Sequence, residues 1–240
     1  VPQTPASTLA PRALILAAGR GERMRPLSDT CPKPLLRVRG RPLIEWHLEA
    51  LAAGGVREVV INTAWLEEAF PAALGDGARF GLSISYSAEG RDHGGALETA
   101  GGIATALPRL APRGDEPFWV VSGDVFAPGF EFAPGHVETF AASDDLAAIW
   151  LVPNPPWHAA GDFAIEGSRA VRGGAGTPRP FTYANLALVR PALVAGIAPG
   201  TKAALGPLLF DAAHAGRLAA HRLAGEWHNV GTPEQLAALG

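Results

Sequence analysis

L-A-A-G-R-G-E-R-M-R-P-L-S-D-T-C-P-K-P-L, residues Leu16 to Leu35, is the stretch on which the fold turns. The apolar run Ala13 to Ala18 reads as a buried strand. It opens into Gly19-Arg20-Gly21, where the backbone can take positive φ and approach a ligand closely. Arg23 and Arg25 follow, then Lys33 between Pro32 and Pro34. A strand, a glycine turn and fixed cations suit a phosphate-rich ligand. Backbone N–H groups cradle the oxygens, and Arg and Lys neutralise the charge. The stretch lacks the G-x-x-x-x-G-K-[ST] of the P-loop, and Met24 stands where the third glycine of G-x-G-x-x-G would fall. The plainer alternative is a strand followed by an ordinary basic loop.

The 240 residues suffice for one large α/β domain with a proper core. The contents, 48% apolar and 18% charged, are those of a globular protein. A net charge of -3 leaves no basic surplus to displace counterions, so nucleic acid is not expected as a partner. The phosphate-binding cations must therefore be local. A single cysteine, Cys31, excludes an intramolecular disulfide. No apolar run is long enough to span a membrane. Residues 1–10 are rich in Pro, Ser and Thr and lack a basic start before an apolar core. They read as a loose tail, not a signal peptide, so a cytoplasmic location is expected.

Working outward, strands and helices alternate through the first half. Arg41-Pro42 opens a helix, Leu43 to Ala53, with Leu43, Trp46, His47 and Leu51 spaced for one face and Gly54-Gly55 ending it. Strands are predicted over Arg57–Asn62, Leu82–Ser87 and Phe118–Ser122, and helices over Leu66–Leu74, interrupted near Pro71, and Ala96–Leu107. In the second half, Leu146–Val152, Phe163–Ile165, Tyr183–Val189 and Leu218–Leu223 read as strands. Ala203–Ala215 and Pro233–Leu239 read as helices. The expected fold is α/β and Rossmann-like: a mainly parallel, mixed sheet flanked by helices, with a smaller α+β lobe. With no linker in view, residues 11–240 are expected to form one domain, divided into a first half, 11–135, and a second half, 136–240. Ligands in open α/β sheets bind beyond the carboxyl ends of strands, so the glycine loop and Gly123-Asp124 should open on one edge.

The long motif resembles the signature of the sugar-1-phosphate nucleotidyltransferases, L-x-A-G-x-G-x-R-[ML]-x-P-L-[ST] followed by P-K-[PA]-L, and every position is met. The resemblance implies a Mg²⁺-dependent transfer of a nucleoside monophosphate from UTP, or another NTP, to a sugar 1-phosphate, with pyrophosphate leaving. Such a transfer needs charge neutralisation and alignment, not a covalent nucleophile. That agrees with scattered histidines and no G-x-S-x-G. Within the family the runs Ile61–Leu66, Leu97–Gly102 and Gly161–Phe163, with the short length, resemble the uridylyltransferases acting on N-acetylmuramate 1-phosphate in cell-wall recycling. GTP with mannose 1-phosphate, or UTP or dTTP with glucose 1-phosphate, stays an alternative; a weakly catalytic nucleotide-sugar sensor is another.

The same resemblance distributes roles, with the nucleotide bound by the half 11–135 and the sugar-phosphate acceptor by the half 136–240. Arg23 and Lys33 are the catalytic cations, at the leaving pyrophosphate and the α-phosphate. Leu16, Ala17, Ala18, Gly19 and Gly21 contact the nucleotide by backbone, and Glu98, Thr99 and Gly102 lie where the base is read. Asp124, in V-V-S-G-D-V, falls at the metal position, and a carboxylate just after a buried strand suits Mg²⁺. The second ligand departs from the family pattern W-x-D-x-G-T. Here Trp227-His228-Asn229-Val230-Gly231-Thr232 offers an amide oxygen from Asn229 in place of a carboxylate. His228 is adjacent, but imidazole is a poor Mg²⁺ ligand. Asp162, Asn185 and Lys202 are the acceptor-binding candidates. The chain lacks the extension that builds tetramers in relatives, so a monomer is expected.

Overall fold

The computed structural model describes residues 10–174 and 176–240. Of the expected tail, residues 1–9 lie outside the described residues. Nine strands form one continuous sheet: β1 (Arg12–Leu16), β2 (Glu58–Thr63), β3 (Ser83–Ala88), β4 (Phe118–Ser122), β5 (Ala147–Pro153), β6 (Ala164–Glu166), β7 (Arg169–Val171), β8 (Phe181–Val189) and β9 (Leu218–Arg222). Their order is β3-β2-β1-β4-β8-β5-β9-β7-β6. Pairing is parallel from β3 to β4 and between β5 and β9, and antiparallel elsewhere. The sheet is therefore mixed. Its parallel character is concentrated in the first half, where helical crossovers connect the strands.

Helices cover both faces. Those described are α1 (Leu43–Ala53), α2 (Ala69–Leu74), α3 (Glu89–His93), α4 (Glu98–Leu110), α5 (Pro134–Ala141), α6 (Leu205–His214) and α7 (Pro233–Ala237). Side-chain alternation along β1 shows how the faces divide. Ala13 and Ile15 join a core with Ile44, Leu48 and Leu51 of α1 and Phe70 of α2. Leu14 points the other way, into a core with Ala100 and Ile103 of α4 and Leu209 of α6. A third, smaller core joins Met24 of the glycine loop, Leu43, Phe126, Val230 and Leu239, tying the loop to the last segment of the chain.

The helix over Leu43–Ala53 is as expected, with Leu43, His47 and Leu51 buried. Three local expectations differ. Pro71 lies in the first turn of α2, where its missing N–H breaks no helical bond, so the helix is not interrupted. Helix α4 starts at Glu98 and runs on through Pro108 to Leu110. Helices α3 and α5 have no counterpart in the sequence reading. The first is five residues of polar sequence; the second buries only Phe140.

Register aligns the ends that matter. Leu16 of β1 pairs with Asn62 of β2 on one side and with Ser122 of β4 on the other. The segments that follow these residues consequently leave the sheet on the same edge.

Candidate active site

That edge holds a cavity of about 280 Å³ lined by Leu16, Ala17, Ala18, Gly19, Lys33, Pro34, Asn62, Ala96, Glu98, Thr99, Ser122 and Asp124. The glycine loop, the start of α4 and the Gly123-Asp124 turn thus meet here. The loop is fixed by its own backbone. Gly21 sits at φ 63 and accepts hydrogen bonds from Met24 N–H at 2.8 Å and Ser28 Oγ–H at 2.7 Å. Trp65 donates from its indole to the Ser28 carbonyl at 2.9 Å, and the Arg20 guanidinium lies 5.3 Å from the Trp65 ring centroid. Gly21 does not line the cavity. It backs Lys33 instead, since a Cβ at this position would lie 3.4 Å from Lys33 Cβ.

Lys33 Nζ lies 2.5 Å from Asp124 Oδ2, and both side chains are largely buried. Gly123 makes this approach possible. Its N–H donates to the Leu16 carbonyl at 2.9 Å, and a Cβ there would lie 3.1 Å from that oxygen and 3.2 Å from the Pro34 ring. The two prolines stiffen the backbone carrying the amine.

Asn229 reaches the same turn from the far end of the chain. Val125-Phe126 pairs antiparallel with His228-Asn229, and Val230 N–H donates to the Asp124 carbonyl at 2.9 Å. Asn229 Oδ1 is buried and has no hydrogen-bond partner among the described residues. A buried acceptor without a donor is costly unless a cation or ligand donor meets it. With the Asp124 carboxylate on the turn that this pairing adjoins, the donor set is a carboxylate oxygen and a neutral amide oxygen, which fits a hard cation completed by phosphate oxygens and water. Among the described residues no cluster of three or more His, Cys, Asp or Glu competes as a metal site. His228 turns outward, 3.3 Å from Glu226. Arg23 is exposed, with its guanidinium over Gly231, where a Cβ would lie 3.4 Å from Nη2. It stands outside the cavity, beside the segment that delivers Asn229.

A buried polar chain braces the cavity from behind, and sequence reasoning missed it. Asn62 Oδ1 accepts from Ala17 N–H at 2.8 Å, and Asn62 Nδ2 donates to Glu89 Oε1 at 2.7 Å. Glu89 Oε2 accepts from Leu97 N–H at 2.8 Å. The wall made by the glycine loop is thereby tied to the wall made by α4. Glu89 is fully buried, and burial raises its carboxyl pKa against the lowering effect of these hydrogen bonds. The available signal was the polar Asn62 at the end of an otherwise apolar strand. Glu89 gave none, sitting in a polar stretch that reads as loop.

This chain of bonds also relocates Gly102. It was expected at the base, yet it is buried behind the cavity, where a Cβ would come within 2.6 Å of Asn62 Nδ2 and 2.7 Å of Glu89 Oε1. Its role is to let α4 lie against the Asn62–Glu89 pair. Glu98 and Thr99 do line the cavity, and Glu98 adopts φ 60 at the helix start. Lys202, expected at the acceptor, stands 3.6 Å from Glu98 at the cavity mouth, with both side chains exposed.

A second cavity of about 290 Å³ opens nearby in the smaller lobe, and Asp162, Asn185 and Asn229 all line it with Trp157, His158, Phe163, Tyr183 and Phe210. Asn185 sits at φ 61, where the β8–β5 register shifts between Tyr183 and Ala187. This bulge re-aims the strand at the cavity. Asp162 Oδ2 accepts from Tyr183 N–H at 2.9 Å, and Oδ1 lies 3.1 Å from His158 Nε2. The Tyr183 phenol is pushed to a higher pKa by burial and stays neutral. Trp157 is exposed and stacks on Trp227 with centroids 6.4 Å apart. Asn229 lines this second cavity and, through its strand pairing with Val125, also adjoins the Asp124 turn of the first.

The family model described as nucleotidyl transferase matches residues 12–171. An N-acetylmuramate alpha-1-phosphate uridylyltransferase of Neisseria meningitidis serogroup B is 45% identical over 222 residues, 92% of this chain and 93% of that protein. One of the same name from Caulobacter vibrioides is 33% identical over 94% of each. A UTP–glucose-1-phosphate uridylyltransferase of Synechocystis is 38% identical over 118 residues, 47% of this chain and 30% of that protein. A crystal structure from Bacillus anthracis, described as a glucose-1-phosphate thymidylyltransferase, superposes with a TM-score of 0.78 over 96% of this chain and 94% of that one, at 22% identity. The chain belongs to the nucleotidyl transferase family.

Proposed function

We propose that the protein transfers the uridylyl group of UTP to N-acetylmuramate 1-phosphate, releasing pyrophosphate, and so makes a nucleotide sugar for peptidoglycan recycling in the cytoplasm. The observation that carries the substrate pair is coverage. The two N-acetylmuramate enzymes match over the whole chain, second lobe included, whereas the glucose enzyme matches only about half of it. The second lobe holds the sugar-sized cavity, so likeness there bears on the acceptor.

In this reading a phosphate oxygen of the sugar attacks the α-phosphorus, the P–O bond to the β-phosphate breaks, and pyrophosphate leaves. The backbone from Leu16 to Gly19 faces the nucleotide, while Glu98 and Thr99 face the base. Lys33 neutralises charge that grows at the α-phosphate during attack. Arg23, at the open side, suits the departing pyrophosphate through its forked donors. Asp124 and Asn229 would hold Mg²⁺, which when bound supplies charge neutralisation and alignment of the phosphates. Asp162 and Asn185 offer the sugar an acceptor and an amide. The chain acts as a monomer in this reading, and none of its described helices is long and apolar enough to cross a membrane.

The deciding experiment is pyrophosphate release with Mg²⁺ over a panel of triphosphates and sugar 1-phosphates. UTP with N-acetylmuramate 1-phosphate should give the highest kcat/KM. A clear preference for GTP with mannose 1-phosphate, or for glucose 1-phosphate, would replace the reading. No turnover with any pair would favour a sensor.

A further inference from the structure

N-acetylmuramate differs from other N-acetylated hexosamines by a lactyl ether that ends in a carboxylate. An acceptor carrying it brings a second anion into the small lobe, and an anion entering a partly apolar cavity needs a cation. The residues lining that cavity include no Lys or Arg. Asp162 is itself a carboxylate, and His158 is taken up by it: one Asp162 oxygen meets the Tyr183 N–H and the other His158 Nε2. The candidate is then a cation that packs against a lining residue.

Arg172 is such a cation. Its guanidinium carbon lies 3.4 Å from the ring centroid of Phe210, and Phe210 is a wall of the cavity. The β6–β7 register runs Ala170↔Ile165, Val171↔Ala164, which carried one step further sets Arg172 opposite Phe163. Residues directly opposite on paired strands point to the same face, so Arg172 and the cavity-lining Phe163 share a side. Phe163 and Phe210 are themselves neighbours, with centroids 5.6 Å apart. Arg172 Nη1 is buried and has no hydrogen-bond partner among the described residues. A cation held flat on an aromatic ring, with a desolvated N–H unpaired, is preorganised for an acceptor. Stacking occupies the face of the guanidinium and leaves its edge, the geometry that takes a carboxylate through two parallel N–H···O bonds.

We propose that Arg172 binds the lactyl carboxylate of the acceptor and sets the preference for N-acetylmuramate over its uncharged relatives. The inference rests on the acceptor reading above. No bond is made or broken at this position; it is a specificity contact.

The test compares kcat/KM for N-acetylmuramate 1-phosphate and for its lactyl methyl ester, which removes the charge and adds only a methyl group. Wild-type protein should favour the acid. Arg172→Gln should lower the acid-to-ester ratio roughly 10- to 100-fold, as expected for losing a charge-assisted contact. Arg172→Lys, with charge but no fork, should restore part of the ratio. An acid-to-ester ratio in Arg172→Gln equal to that of wild type, whether the activities themselves hold or fall together, overturns the assignment. The acceptor reading fails separately. In that case wild-type protein ignores both muramate compounds and turns over another sugar phosphate from the panel.

Discussion

Lys33 and Asp124 form the tightest charged contact of the cavity, and each had been expected to meet a separate ligand group. Lys33→Ala should lower kcat about 10²- to 10³-fold, with a smaller change in the KM for UTP, as for loss of one group stabilising transition-state charge. A steady-state comparison on folded variant checks this; near-wild-type turnover would remove Lys33 from the chemistry. Asn229 gives a second prediction. Asn229→Asp adds charge at nearly constant size where the oxygen is now unpartnered. The half-saturating Mg²⁺ concentration should fall, and an unchanged titration in both Asn229→Asp and Asn229→Ala would separate this residue from the metal. His47 gives a third. Burial lowers its pKa from the ordinary 6.5 to about 4, and its Nε2 lies 2.7 Å from the Val125 carbonyl. The folded state therefore excludes a proton that the unfolded chain accepts. Its contribution is complete above about pH 6.5, falls as pH drops towards 4, and amounts to at most about 3 kcal/mol. Urea midpoints at pH 7.5 and 5 should show this loss, and His47→Gln should flatten the difference. The motif made Lys33, the strand-ending Gly123-Asp124 made Asp124, and the helical face made His47 legible in the sequence. What His47 bonds to was not, because Val125 is remote in the chain.

At the scale of elements, hydrophobic period carried most of the reading. Strands Arg12–Leu16 and Phe118–Ser122 and helix Leu43–Ala53 show it clearly. Helix α3 escaped because it is polar and short, and its one buried residue, Glu89, is charged. A buried carboxylate has no signature in a single sequence; only its partners, Asn62 and Leu97 N–H, make it tolerable. Helix α4 shows the complementary limit. Its glycine pair looked like permission for a ligand to approach, and at Gly102 the approach is that of the Asn62–Glu89 pair. Gly102→Ala should destabilise the fold by about 1–3 kcal/mol, the usual range for overpacking. It should also raise the KM for UTP, since α4 and the glycine loop are braced by the same bonds. Thermal melts and kinetics together test the point; an unaltered melting temperature would mean that the pair yields easily.

Across the whole molecule, the two halves are one sheet. β4 ends the parallel run and pairs directly with β8, so residues 11–135 alone would expose a long edge and the apolar faces beneath α6. A fragment of residues 11–135 should bind a hydrophobic dye and lack near-ultraviolet dichroism; a cooperatively melting fragment would show that this half folds by itself. The order of strands across that junction was not legible, because nothing local in Phe181–Val189 says that it inserts between β4 and β5. Nor was the third core, in which Met24 meets Val230 and Leu239. That core has a bearing on biosynthesis. Asp124 and Lys33 emerge from the ribosome well before Asn229, which reaches them only by pairing with Val125-Phe126. On the metal-site reading proposed above, a nascent chain halted before residue 229 would hold the glycine loop but lack the second ligand oxygen, and would turn over only once that pairing segment had been translated. On the same reading, a protease cutting just ahead of Trp227 would remove activity while most of the large sheet stood.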